Sequence, residues 1–112
     1  MPSSLTEYLG IDRAFRVQYD LTYATQMRIL AQVVTPGPTG AVLRVQYWDG
    51  SAWQYADGAT GPSVAIDVAG DKASSWVTLV AGAKQDRILR IVGLNGDSVA
   101  SPVFGLVAVQ VK

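Results

Sequence analysis

Through most of this chain apolar side chains recur at every second position, and turn-forming residues break the runs at short intervals. Successive side chains of an extended strand point to opposite faces, so this period marks strands with one face on a core. The pattern is clearest over residues 41–48, where Leu43, Val45 and Tyr47 alternate with Val42, Arg44, Gln46 and Trp48. Asp49-Gly50 then turns the chain into a partner strand over 52–55. Residues 15–19 put Phe15, Val17 and Tyr19 on the expected core face, opposite Arg16, Gln18 and Asp20. Residues 26–34 put Met27, Ile29, Ala31 and Val33 on one face. Gln, Met, Arg, Leu and Ala also suit a helix, which would run through Leu30 and Val34 with Asp20 as a cap. The β-branched ending Val33-Val34-Thr35 and the Pro36-Gly37-Pro38 turn favour a strand.

Further strands are expected over 64–68, 76–80, 87–94 and 103–111, bounded by Asp57-Gly58, Gly61-Pro62, Gly70-Asp71, Gly82, Asn95-Gly96 and Ser101-Pro102. No helix of about ten residues separates them, which disfavours parallel βαβ units. The expected fold is therefore all-β: an antiparallel β-sandwich, jelly-roll-like or Ig-like, of about eight strands with a short N-terminal arm. The 112 residues suffice for one core, giving an arm over 1–13 and a sandwich domain over 14–112. Ser4 and Glu7 have capping-box spacing and Gly10 could end a helical turn in the arm; a frayed terminus fits those residues equally well.

Composition narrows the function classes. Hydrophobic residues make up 49% and charged ones 16%, enough apolar surface to offset the ordering entropy of a compact fold. Nine basic residues balance nine acidic ones, so no net field draws nucleic acid or anionic lipid. With no secretory signal and no apolar run of about 20 residues, the expectation is a soluble protein made in the cytoplasm, with neither nucleic acid nor membrane as partner.

Histidine and cysteine are both absent, which removes the usual general base, thiol nucleophile and transition-metal ligands. Glu7 is the sole glutamate, and the aspartates sit mostly at turns, where they bond local backbone. Neither Asn95-Gly96-Asp97 nor the stretch from Asp67 to Asp71 has the dense acidic spacing of a calcium loop, and no phosphate loop is present. The expectation is thus no enzyme, no catalytic residue, no metal and no cofactor. The close pairs Arg13 with Arg16 and Arg87 with Arg90 read as solvated strand faces.

Binding surfaces are what remain. Parity puts Trp48 with Arg44 and Gln46, away from the core, so an exposed Trp48 beside Trp53 and Tyr55 would form a platform for a sugar ring or a protein pocket; a bulge or covering loop would instead bury these rings. Trp76 is expected to cap the core. In the last strand Val103, Val107, Val109 and Val111 share one face, while Phe104, Leu106 and Ala108 share the other. Two apolar faces on one strand argue for cover by a second subunit, a loop or the arm. The candidate interaction surface is Trp48, Trp53, Tyr55, Phe104 and Leu106, and the expected state is a homo-oligomer, with a trimer in view.

The run Leu43-Arg44-Val45-Gln46-Tyr47-Trp48-Asp49-Gly50-Ser51-Ala52-Trp53, followed by Trp76-Val77-Thr78-Leu79 and Arg87-Ile88-Leu89-Arg90-Ile91, resembles small β-sandwich structural proteins of tailed bacteriophage virions. Head decoration or cement proteins and tail or fibre accessories are of this kind. The resemblance implies a noncatalytic virion protein that docks on capsid or tail proteins and stabilises the lattice. Carbohydrate-binding jelly-roll modules are also similar around the Asp-Gly-x-x-Trp hairpin, which implies glycan binding as the alternative. This chain lacks the disulfide-forming cysteines of discoidin-like modules.

Overall fold

A computed structural model describes residues 16–94 and 102–112, together with the backbone of Leu5–Thr6. Its strands are β1 (Leu5–Thr6), β2 (Val17–Asp20), β3 (Gln26–Thr35), β4 (Val42–Trp48), β5 (Trp53–Tyr55), β6 (Ser63–Ala65), β7 (Gly70–Ala73), β8 (Val77–Thr78), β9 (Asp86–Leu94) and β10 (Val103–Val111). One 3-10 turn, Ala81–Ala83, precedes β9. The strands form two antiparallel sheets packed face to face, as the alternation predicts. In the larger sheet β9 and β4 are central, with β1 and β2 along the outer edge of β9 and β5 and β6 along the outer edge of β4. In the smaller sheet β3 is central, flanked by β10 on one side and by β7 and β8 on the other.

The core lies where the alternation places it. Met27, Ile29, Ala31 and Val33 of β3 are buried and face Leu43, Val45 and Tyr47 of β4 with Leu89 and Ile91 of β9. Leu21, Ile66 and Leu79 close the ends of this layer from the connecting segments. Each large side chain withdrawn completely from water contributes roughly 1.5–3 kcal/mol. The helix alternative for residues 26–34 fails because it would split Met27, Ile29, Ala31 and Val33 around the axis, whereas pairing on both sides gives all four one dry face.

Three expectations need correction. Val17 and Tyr19 are each 49% exposed, because β2 is an edge strand over the rim of the sandwich and not over its closed centre. Phe104 lies on the core face with Val107, Val109 and Val111, opposite to its parity. The register between β10 and β3 shifts on both sides of Phe104, so Phe104 pairs with Val33 while Leu106 pairs with Gln32. Gly105 is the extra residue, and a Cβ there would run into the Gln32 amide. Strand β7 was not foreseen, since Gly-Asp-Lys-Ala has no apolar period. In the arm, Leu5 and Thr6 pair as strand along β9, while Ser4, Glu7 and Gly10, on which the capping box and the helical turn rest, lie outside the described residues, as does Phe15.

Candidate interaction surfaces

The outward side chains of the larger sheet form an arginine–aromatic layer. Trp48 pairs across the hairpin with Trp53, and Gln46 pairs with Tyr55, so all four project from the same face. The two indoles meet edge to face with centroids 5.4 Å apart. Arg90 lies opposite Gln46 in β9, donates from Nε and Nη2 to Gln46 Oε1 at 2.9 and 2.8 Å, and stacks 4.2 Å from the Trp53 ring centre. Arg16 stands 5.2 Å from the same ring, and Arg44 stands 5.7 Å from Tyr55. Gln46 is only 3% exposed; the doubled charged hydrogen bond from Arg90 offsets the cost of burying its carbonyl. Trp48, Trp53 and Tyr55 are half-buried.

Asp49 shapes the loop between β4 and β5. Its Oδ1 accepts the backbone N–H groups of Ser51 and Ala52, each at 2.7 Å, and its Oδ2 accepts from Gln54 Nε2 at 3.1 Å. The Ala52 amide, then those of Ser51 and Gln54, hold this carboxyl below its ordinary value of 3.8. Gly50, at φ +102°, supplies the left-handed residue the turn requires. Asp20, Asp57 and Asp67 serve loops likewise, accepting from the backbone of Thr22, of Ala59 and Gly61, and of Gly40 respectively.

The outer face of the smaller sheet is mixed, with Arg28, Gln32 and Gln110 among its side chains, but it exposes large apolar residues toward the Val34 end of β3. Val34 is 58% exposed and Leu106 57%, with Val103 beside them and Leu30 half-buried. A shallow groove of about 360 Å³ runs here between Leu106 and the Asp71–Ala73 stretch of β7. Leu106 and the Trp48, Trp53 and Tyr55 group thus lie on opposite sides of the sandwich, and Phe104 lies between the sheets. The five candidate residues do not form one surface.

A third feature is a cleft of about 640 Å³ at the rim where β2 and β10 face each other. Val17 and Tyr19 form one lip, Val107 and Val109 the other, and Leu89 and Ile91 are in its floor. Trp76, expected as a cap on the core, is half-buried between Arg28, 4.6 Å away, and Lys112 Nζ, 4.4 Å away. Arg28 also donates to Gln110 Oε1 at 2.7 Å.

Among the described residues no group of three or more acidic side chains stands close enough together to hold a metal ion. No described helix is long and apolar enough to cross a membrane. Sequence reasoning set Arg44 beside Trp48 by parity but read Arg90 as part of a solvated strand face; Arg90 is instead half-buried over Trp53, a placement that only the register of β9 with β4 reveals. No family model, curated protein or solved structure matches the chain.

Proposed function

We propose that the chain is a noncatalytic structural protein of a virion, a head decoration or cement protein or a tail accessory, which docks as a homo-oligomer on a capsid or tail lattice and stabilises it. The observation that carries the docking is the exposure of Val34 and Leu106 on the outer face of the smaller sheet, with Val103 exposed at the same end of β10. The outer layer of a two-sheet sandwich is ordinarily wet, and large apolar side chains more than half exposed there favour a protein partner. The assignment to a virion rests on the resemblance carried by the Leu43 to Trp53 hairpin and the Arg87 to Ile91 segment. The alternative, a glycan-binding module, finds less support: a sugar ring stacks on an open aromatic face, whereas guanidinium groups stand over Trp53 and Tyr55.

Cosedimentation with tailed-phage heads and with isolated tails tests the reading. Saturable binding, weakened at least tenfold by Leu106→Lys, is the expected result. Binding to neither lattice, or binding indifferent to Leu106→Lys, counts against it. Glycan-array binding abolished by Trp53→Ala would turn the assignment to the alternative.

A further inference from the structure

We propose that the edge of β10 that no described strand covers pairs antiparallel with β10 of a second copy of this chain, joining two smaller sheets across a two-fold axis. This rests on the homo-oligomer in the reading above and specifies its interface.

The backbone itself indicates an extended strand as the occupant. Gln26 and Lys112 exchange both of their backbone hydrogen bonds, at 2.9 and 3.0 Å. Hydrogen-bonded and non-hydrogen-bonded pairs alternate along an antiparallel ladder. With Gln110 opposite Arg28, Ala108 opposite Leu30 and Leu106 opposite Gln32, these residues therefore turn their N–H and C=O groups toward β3. Val107, Val109 and Val111 turn theirs away, to the side where β10 has no strand partner among the described residues. The side chains of the same three valines point inward, onto the core face and the cleft. A strand that satisfies their backbone groups must therefore send its own paired side chains toward the cleft, where Val17 and Tyr19 are half exposed on the opposite lip.

The chemistry required of that strand is apolar residues at alternate positions, and β10 itself has it. Only the register with Val109 opposite Val109 of the second copy pairs all three outward residues, since Val107 then meets Val111 of the second copy and the reverse. Gln110 opposes Ala108 of the second copy, and Lys112 opposes Leu106, so no like charges meet. Residues 103–111 contain no charged residue and no proline. Charge and proline are two of the devices by which edge strands discourage such pairing, and a third, the bulge at Gly105, lies outside the residues 106–112 that this register pairs.

Light scattering on the full chain across a concentration series, with Val109→Pro beside wild type, tests the proposal. Proline is tolerated on an edge strand where the lost N–H faces outward, so this change removes no bond to β3. The expected result is a wild-type particle of twice the 11.9 kDa chain mass and a folded variant of the single mass. If the variant does not fold, amide exchange on wild type decides: the Val107, Val109 and Val111 amides should be protected in concentrated protein and lose at least tenfold of that protection on dilution. A wild-type monomer, a trimer, or a dimer in which these amides exchange unprotected would overturn the proposal. Lattice cosedimentation is read separately, so failure of the strand pairing and failure of lattice docking are distinguishable.

Discussion

Replacing Ile29 by alanine removes three carbon atoms from the middle of β3, at a position with no solvent exposure. Transfer alone costs about 0.8 kcal/mol for each carbon, hence about 2.4 kcal/mol. Ile29 sits between Met27 and Ala31 on its own strand and across from Val109, and its backbone is tied to Ser74 at 2.9 Å, so the site has little room to collapse. The residual cavity brings the expected loss to roughly 3–4 kcal/mol, inside the range for buried large-to-alanine changes. With a urea slope of about 1.5 kcal/mol per molar, suited to a small domain, the unfolding midpoint should fall by roughly 2–2.7 M. Val34→Ala, five residues along the same strand but 58% exposed, should cost no more than about 0.5 kcal/mol. Urea titrations of both variants, followed by tryptophan fluorescence and far-ultraviolet circular dichroism, give the comparison. A helix over this segment would align Met27, Leu30 and Val34 on one stripe and leave Ile29 off it. Equal losses in the two variants would therefore refute the alternating account of β3.

Arg90→Ala should cost about 1–3 kcal/mol, because it leaves the buried Gln46 carbonyl without its charged donor, whereas Arg90→Met with Gln46→Leu should recover much of that in the same urea assay. The Asp49 carboxyl is held below 3.8 in the fold, so its contribution is complete above that value and is lost as pH falls through the lowered native value; a urea midpoint series in acid should decline less steeply for Asp49→Ala than for wild type. Gly58→Ala should destabilise more than Gly40→Ala in thermal melts, by about 1 kcal/mol or more. Both glycines have positive φ, but a Cβ at Gly58 would lie 2.8 Å from Val80 Cγ1 while one at Gly40 meets nothing within 4 Å.

The central strands were legible in the sequence because they are covered on one face along their whole length. Leu43, Val45 and Tyr47, like Met27 to Val33, meet one dry layer, and nothing interrupts their period. Legibility fades at the rims. Val17 and Tyr19 have the same alternation as a core strand, but what lies over them depends on sheet edges that only the assembled topology places. Phe104 was assigned to the wrong face because parity assumes an unbroken ladder; the isolated Gly105 inside a strand pattern was the one signal of a bulge. Strand β7 owes its pairing to β3 and not to any period of its own. The aromatic layer was half visible: parity placed Trp48 beside Arg44 and Gln46, but Arg90 and Arg16 join it only through the antiparallel registers of β9 with β4 and β2.

Arg28 and Gln110, which touch across the smaller sheet, are 82 positions apart in the chain. The middle strand of that sheet is therefore synthesised long before the neighbour that covers one of its two edges. Until β10 leaves the ribosome, the valine- and isoleucine-bearing β3 waits with that ladder unfilled. Slow, late closure of this kind exposes a nascent chain to mispairing with its neighbours on a polysome.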